Sequence, residues 1–465
     1  MTHVHFIGIG GSGISAIARL LLEMGYTVSG SDRVLSPFAG KLQADGATVF
    51  LGHDARNVSG ADWVVRSSAI GDDNPEALEA RARGIPVYKR AEFLGQLMED
   101  KIGIAVAGAH GKTTTTAMIA WTLFALGRDP SFIVGSTVAN LKTNAHAGRG
   151  KAFVIEADEY DRMFLGLKPF YAVVTNIEHD HPDCYPTFED MYAAFAQFVD
   201  LLPADGALIA CLNDAAASAL MNEARKSGRR VVAYGLQGES TLNAPHWMMA
   251  RNLRPNTRGG FDFEAVSNLF PETEAIPVSL QAPGVHNVQN SLAALAVVSL
   301  MGLPPKKAAE ALGEFRGAAR RFEVLGEADG VVVVNDYGHH PTEIRAALAA
   351  ARARYPGRRV WALWQPHTYS RTQALFERFV TAFDDADEVL VTEIYASREA
   401  AQDFTSAMVV SSMRHPSAHF AATLDDAARY LLEHLRPGDA LIVLSAGDAD
   451  RVGADALAGL QKREK

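Results

Sequence analysis

IAVAGAHGKTTTT, residues 104–116, is the stretch that decides how this chain is divided. An apolar strand runs into small residues, then Gly111-Lys112-Thr113, then a Thr-rich helix, and that is the form of a nucleoside triphosphate loop. In such a loop the backbone N–H groups from Ala109 to Thr113, with His110 and Gly111 among them and Thr114 next in line, turn inward around phosphate oxygens. The helix that follows adds its positive dipole end. Lys112 can bridge the phosphates, and the Thr113 hydroxyl can ligate magnesium. The match is partial, because the strict pattern asks for glycine where Val106 stands.

A second phosphate loop lies upstream. HFIGIGGSGISAIA, residues 5–18, carries Gly8-x-Gly10-x-x-Gly13, and Asp32 ends the next strand about twenty residues on, where a ribose-binding acid sits in a dinucleotide fold. Three readings are open on the residues alone: an NAD site, a tight turn without ligand, or a cradle for the pyrophosphate of another nucleotide such as a UDP-sugar. An NAD-dependent oxidoreductase needs only this loop and leaves Lys112 unexplained.

Outward from the two loops the pattern is strand and helix in alternation, which argues for parallel sheets with crossover helices. At 465 residues and 48% hydrophobic content the chain has room for about three domains of ~150 residues each. The fold class expected is α/β in three domains, with boundaries at 1–99, 100–316 and 317–465. The first and third are Rossmann-like. The second is a P-loop ATPase-like parallel sheet, with a small antiparallel side sheet in the Pro-, Asn- and Thr-rich stretch 238–283. A net charge of −10 without a Lys/Arg run argues against nucleic acid. No apolar run approaches the ~20 residues that span a bilayer, so a soluble, cytoplasmic protein without a membrane partner is expected. Two cysteines, Cys184 and Cys211, are too few for a disulfide framework.

Two more strand ends carry carboxylates and histidines: VIEADEYD at 154–161 and TNIEHDHPD at 175–183. Glu156, with help from His181, is the favoured magnesium pair. A zinc hydrolase reading of His179-x-His181-x-Asp183 wants a histidine after the aspartate, and this chain has Cys184 there. Further along, DYGHHPTEI (336–344) and QPHTYSRT (365–372) each put ionisable groups after an apolar strand. Arg371 suits two-pronged binding of a carboxylate or phosphate. His339 and His340 are adjacent, so at most one is expected to face a shared site.

HFIGIGGSGISAIA, SSAI, AGAHGKTTTT, EADE, TNIEHDH, GVHNVQNSLAA, GAARRFEVLG, NDYGHHPTEI and QPHTYSRT occur in this order. As a set they resemble the Mur ligases of peptidoglycan synthesis over nearly the whole chain, and more narrowly the alanine-adding branch. The resemblance implies ATP-dependent joining of L-alanine to the lactoyl carboxylate of UDP-N-acetylmuramate through an acyl phosphate, with ATP and Mg2+ as cofactors. It implies that Gly11, Ser12 and Gly13 face the UDP pyrophosphate, with Asp32 and Ser68 near.

Lys112, Thr113, Asn287 and Asn290 then serve ATP, Arg321 and Asp336 approach it from the third domain, and Thr113, Glu156 and His181 hold magnesium. Tyr337, His339, His367 and Arg371 shape the alanine pocket, and Lys112, His339 and Arg371 form the catalytic set. A monomer or weak homodimer is expected. Three departures stand out. Thr368 replaces an arginine common in the family, and no lysine between Phe170 and Arg225 is present to carry a carbamate for a second metal. EADEYD equally resembles the murein-recycling relative that attaches an L-Ala-γ-D-Glu-diaminopimelate tripeptide, which is the alternative reading. Cys184, beside the metal loop, is a candidate for inhibition by oxidation.

Overall fold

A computed structural model describes residues 1–238, 244–270 and 275–463. Three sheets follow one another along the chain. The first is wholly parallel, in the order Thr48–Leu51, Thr27–Asp32, His3–Ile7, Trp63–Arg66, Val87–Lys89. Its central strand His3–Ile7 delivers the Gly8–Gly13 loop to helix Ser12–Glu23, whose apolar side residues Ile14, Ile17, Leu20 and Leu21 are buried.

The central sheet has ten strands, and Ile102–Ala107 runs parallel between Ala152–Glu156 and Tyr171–Val174. Up to Glu156 at the end of one of them, these strands are apolar because both faces are covered, as parallel sheets require. Their carboxyl ends bring the triphosphate loop, EADEYD and TNIEHDH side by side. His246–Pro255, Phe261–Ser267 and Ile276–Ser279 include the expected antiparallel pairs, yet they do not stand apart. His246–Pro255 pairs in parallel with Arg230–Leu236, so the three strands extend the edge of the central sheet. Within that stretch, residues 239–243 and 271–274 lie outside the described residues. The opposite edge is a hairpin, Ser131–Val138 with Thr143–His146, that periodicity did not reveal.

The third sheet pairs Glu323–Ala328 antiparallel to Val331–Asp336 and is otherwise parallel, with Asp439–Ser445 between Val331–Asp336 and Arg359–Gln365. DYGHH and QPHTYSRT therefore leave the same edge of the sheet from strands one apart, on either side of Asp439–Ser445. Helix Ser12–Glu23 packs against the central hairpin, where Glu23 accepts a hydrogen bond from the Ala147 N–H at 2.8 Å. Among the described residues no helix is long and apolar enough to cross a membrane.

Candidate active site

Gly108 and Gly111 have φ of +142° and +81°, a conformation open to glycine, and this folds the loop so that helix Lys112–Ala125 starts at Lys112. A Cβ on Gly108 would come within 2.0 Å of the Thr175 hydroxyl. The Lys112 ammonium donates to Gly108 O (2.6 Å), Ala109 O (3.2 Å) and the Glu159 carboxylate (2.8 Å). Burial works against its charge, but Glu159, Asp158 and Glu156 outweigh that and raise its pKa. Glu159 pays for burial in the opposite sense: it is 1% exposed, and desolvation lifts its carboxyl to about 7 although Lys112 opposes the rise.

Thr113 donates to Glu156 at 2.9 Å and accepts from Arg321 at 3.2 Å. Glu156 also accepts from the Gly135 N–H at 2.7 Å. His181, at φ +55°, has its Nε2 3.7 Å from Glu159. The acids thus divide: Glu156 faces Thr113, and Glu159 stands between Lys112 and His181. The Glu159 Oε2 is buried without a hydrogen-bond partner, while its Oε1 meets Lys112 and lies 3.7 Å from His181. His179 turns away to Tyr185 O at 2.8 Å, so the zinc-hydrolase pair does not form.

A cavity of about 600 Å³ opens beside the loop, lined by His110, Gly111, Thr114, Asn287 and Asn290 from the central domain and by Arg321 and Asp336 from the third. Asn290 donates to Asn287 Oδ1 at 3.0 Å and backs Gly111, where a Cβ would meet its oxygen at 3.0 Å. Asp336 is tied to the Phe322 and Gly338 N–H groups at 2.8 and 2.7 Å, and burial raises its pKa to about 6 despite Arg321. Arg321 lies over the Tyr337 ring at 4.9 Å.

His339 packs edge-on to Tyr337 (5.4 Å) and His367 (5.7 Å), and His367 stacks on Tyr395 at 5.7 Å. Tyr395 carries no motif and escaped sequence reasoning. Burial drops His339 to about 3 and His367 to about 4, which keeps both neutral near pH 7. His340 faces the other way, its ring 4.8 Å from that of His110, so the adjacent histidines serve two places.

Arg371 corrects an expectation. Its Nε and Nη2 both donate to Asp180 at 2.9 Å and its Nη1 lies 3.0 Å from His367 Nδ1, so its fork is taken by a carboxylate of this chain. Both partners are 5% exposed, and Arg371 holds the Asp180 carboxyl well below its usual range against the cost of burial. Thr368 caps helix Tyr369–Ala374, its hydroxyl accepting from the Arg371 N–H.

In the first domain Gly11 and Ser12 are exposed at the start of their helix, and Ser68 is exposed in a nearby loop. Asp32 accepts from the Gly10 N–H at 2.8 Å, so it pins the loop. Arg90 fills the space over Gly13, where a Cβ would come within 2.0 Å of its guanidinium, and it also reaches Asp158 at 3.3 Å. Cys184 is half-buried and burial raises its thiol pKa, which opposes the reactivity suggested for it.

Sequence-family comparison matches three consecutive models: the Mur ligase family catalytic domain over residues 3–102, the Mur ligase middle domain over 106–298, and the Mur ligase glutamate ligase domain over 320–447. The UDP-N-acetylmuramate–L-alanine ligase of Acidobacterium capsulatum is 43% identical over 462 residues, covering 99% of this chain and 98% of its own. That of Desulfosudis oleivorans is 43% identical over 464 residues, covering 99% of both. Among solved structures, the UDP-N-acetylmuramate–alanine ligase of Thermotoga maritima superposes with a TM-score of 0.81 at 27% identity over all of both chains. A murein peptide ligase of Psychrobacter arcticus gives 0.72 at 26% over 99% of both. With a triphosphate loop, an acidic strand end and an arginine from the third domain meeting as described, and with matches running from one end to the other, the chain belongs to the Mur ligase family.

Proposed function

We propose that this chain uses ATP to join L-alanine to the lactoyl carboxylate of UDP-N-acetylmuramate, with residues 1–99 holding the UDP-sugar, 100–316 holding ATP and 317–465 receiving the amino acid. The observation that carries the reading is the full-length identity of 43% to relatives that bear this activity in their names. The tripeptide-adding alternative draws less support, since its structural relative superposes less closely.

A carboxylate is a poor electrophile with a poor leaving group. The reaction solves this by moving the γ-phosphoryl group: a carboxylate oxygen bonds to phosphorus as the bond to ADP breaks. The amine of alanine then attacks the acyl carbon, phosphate departs, and the amine sheds a proton. Lys112, buried and charged, is set to balance the moving phosphoryl charge. Arg321 supports Thr113 from the third domain, so the site is complete only when the domains meet. Thr113, Glu156 and His181 would hold Mg2+, the first two already joined by a 2.9 Å hydrogen bond. When bound, the ion neutralises charge on phosphate oxygens. The rings of Tyr337, His339, His367 and Tyr395 shape a dry pocket for the methyl of alanine, and the Arg371–Asp180 pair braces it.

The test is phosphate release from ATP, Mg2+ and UDP-N-acetylmuramate with L-alanine or the tripeptide as acceptor. Alanine-dependent release is expected. Release that needs the tripeptide transfers the chain to recycling.

A further inference from the structure

Two imidazoles and a carboxylate stand together where the central and third domains meet, and the ligase reading leaves their side chains without a task. His110 comes from the triphosphate loop, Glu178 from the loop after Tyr171–Val174, and His340 from the N-cap of helix Pro341–Arg354. One ligand atom from each lies within 4.8 Å of the other two, a grouping with no second example among the described residues.

We propose that His110, Glu178 and His340 form a binding site for one divalent transition-metal ion of the zinc class, which fastens the triphosphate loop to the third domain. Two imidazole nitrogens and one carboxylate oxygen suit zinc and its neighbours, whereas magnesium asks for oxygen alone. The site is therefore distinct in chemistry from the Thr113–Glu156 region.

Three features of the trio support an ion. His340 is fully buried, and its Nδ1 lies 3.7 Å from Glu178 with only a long 3.3 Å bond from the Thr342 N–H. Packing alone does not explain a buried imidazole so weakly engaged. Glu343 Oε1 lies 3.1 Å from His110 Nδ1, the carboxylate-to-imidazole arrangement that orients metal-binding histidines and leaves the other nitrogen to the ion. His110 Nε2 already points at Glu178, 2.9 Å away.

Bonds of ~2.0–2.2 Å hold the donors of a tetrahedral ion about 3.4 Å apart, so the 2.9 Å His110–Glu178 contact has to open slightly and separations of up to 4.8 Å have to close by about 1.4 Å or less through side-chain torsions. His110 and Glu178 line the 600 Å³ cavity, and a fourth coordination position facing it stays open to water or a phosphate oxygen. The ion takes the place of the proton between His110 Nε2 and Glu178, and Nδ1 keeps its proton toward Glu343. Thr342 and Arg378, which also bond Glu178, keep that carboxylate in position.

The experiment is a calorimetric titration of the full chain, free of nucleotide and substrate, with Zn2+ in the presence of excess Mg2+. It is repeated with Co2+ to read the visible absorption of a four-coordinate ion. One equivalent bound with mixed nitrogen and oxygen ligation is expected. His340→Asn keeps a cap for the Thr342 N–H, and Glu178→Gln keeps the hydrogen bonds from Thr342. Each should weaken zinc binding by about tenfold or more. If one variant does not fold, the other decides. No saturable binding over Mg2+, or equal binding by the variants, overturns the site and leaves the cluster an ion-pair network. Because nothing here depends on turnover, its failure leaves the ligase reading intact, and the reverse holds.

Discussion

The two glycine-rich loops have nearly the same backbone task and opposite electrostatics. Around Gly108–Thr113 the chain gathers a buried lysine, three acids and an arginine from another domain. Around Gly8–Gly13 Asp32 pins the loop, and the Arg90 guanidinium, from the start of a later helix, lies over Gly13. The difference teaches that a loop which must balance charge in motion carries ionised groups inside it. On the proposed function the first loop only anchors a substrate, through backbone N–H groups and a helix end.

The contrast breaks first at Lys112. Lys112→Ala should lower kcat by about a thousandfold, since the migrating phosphoryl charge loses its counter-ion; near-normal turnover in a phosphate-release assay removes the loop from catalysis. Next comes Arg371→Ala, which leaves the Asp180 carboxylate buried and unpaired. Loss of about 3–5 kcal/mol of stability in denaturant unfolding is expected, along with a raised KM for alanine. An unchanged alanine KM takes the pair out of that pocket.

Gly13→Ala sharpens the comparison from the other side. The new methyl displaces Arg90, so KM for the UDP-sugar should rise by about tenfold with kcat retained. A fall in kcat alone would give the first loop a chemical role. Asp32→Asn, which weakens the bond from the Gly10 N–H, should cost about 1 kcal/mol, read as a small rise in the same KM.

Acidification is a gentler probe of the catalytic half. Burial depresses His339 to about 3 and His367 to about 4 from 6.5, so between about pH 6.5 and 4 the unfolded chain takes up protons that the folded one refuses. Stability is full above that window and is lost as pH falls through it. Replacing His367 by Asn should flatten the slope in thermal unfolding measured against pH.

The three-domain α/β plan, both phosphate loops, and the strand ends that carry acids and histidines were legible in order along the chain, because apolar strands ending in glycine or charge are local patterns. Lys112, Thr113 and Glu156 come together as their motifs suggest, since parallel strands of one sheet deliver their ends to one edge. The hairpin Ser131–Val138 with Thr143–His146 was missed, its pairing depending on neighbours and not on alternation.

Partner choice was beyond the sequence. An arginine's spacing says that its fork will bind an anion, but not that Asp180, 191 residues away, already occupies it. Adjacent histidines look equivalent until the start of a helix sends one to His367 and the other to His110. Backbone form and the type of chemistry were thus determined by sequence, through short-range sterics and hydrophobic period. Which charges meet, which are buried and which carboxylate keeps a free oxygen were decided only by tertiary structure, because desolvation and ion pairing depend on distances set by segments far apart in the chain.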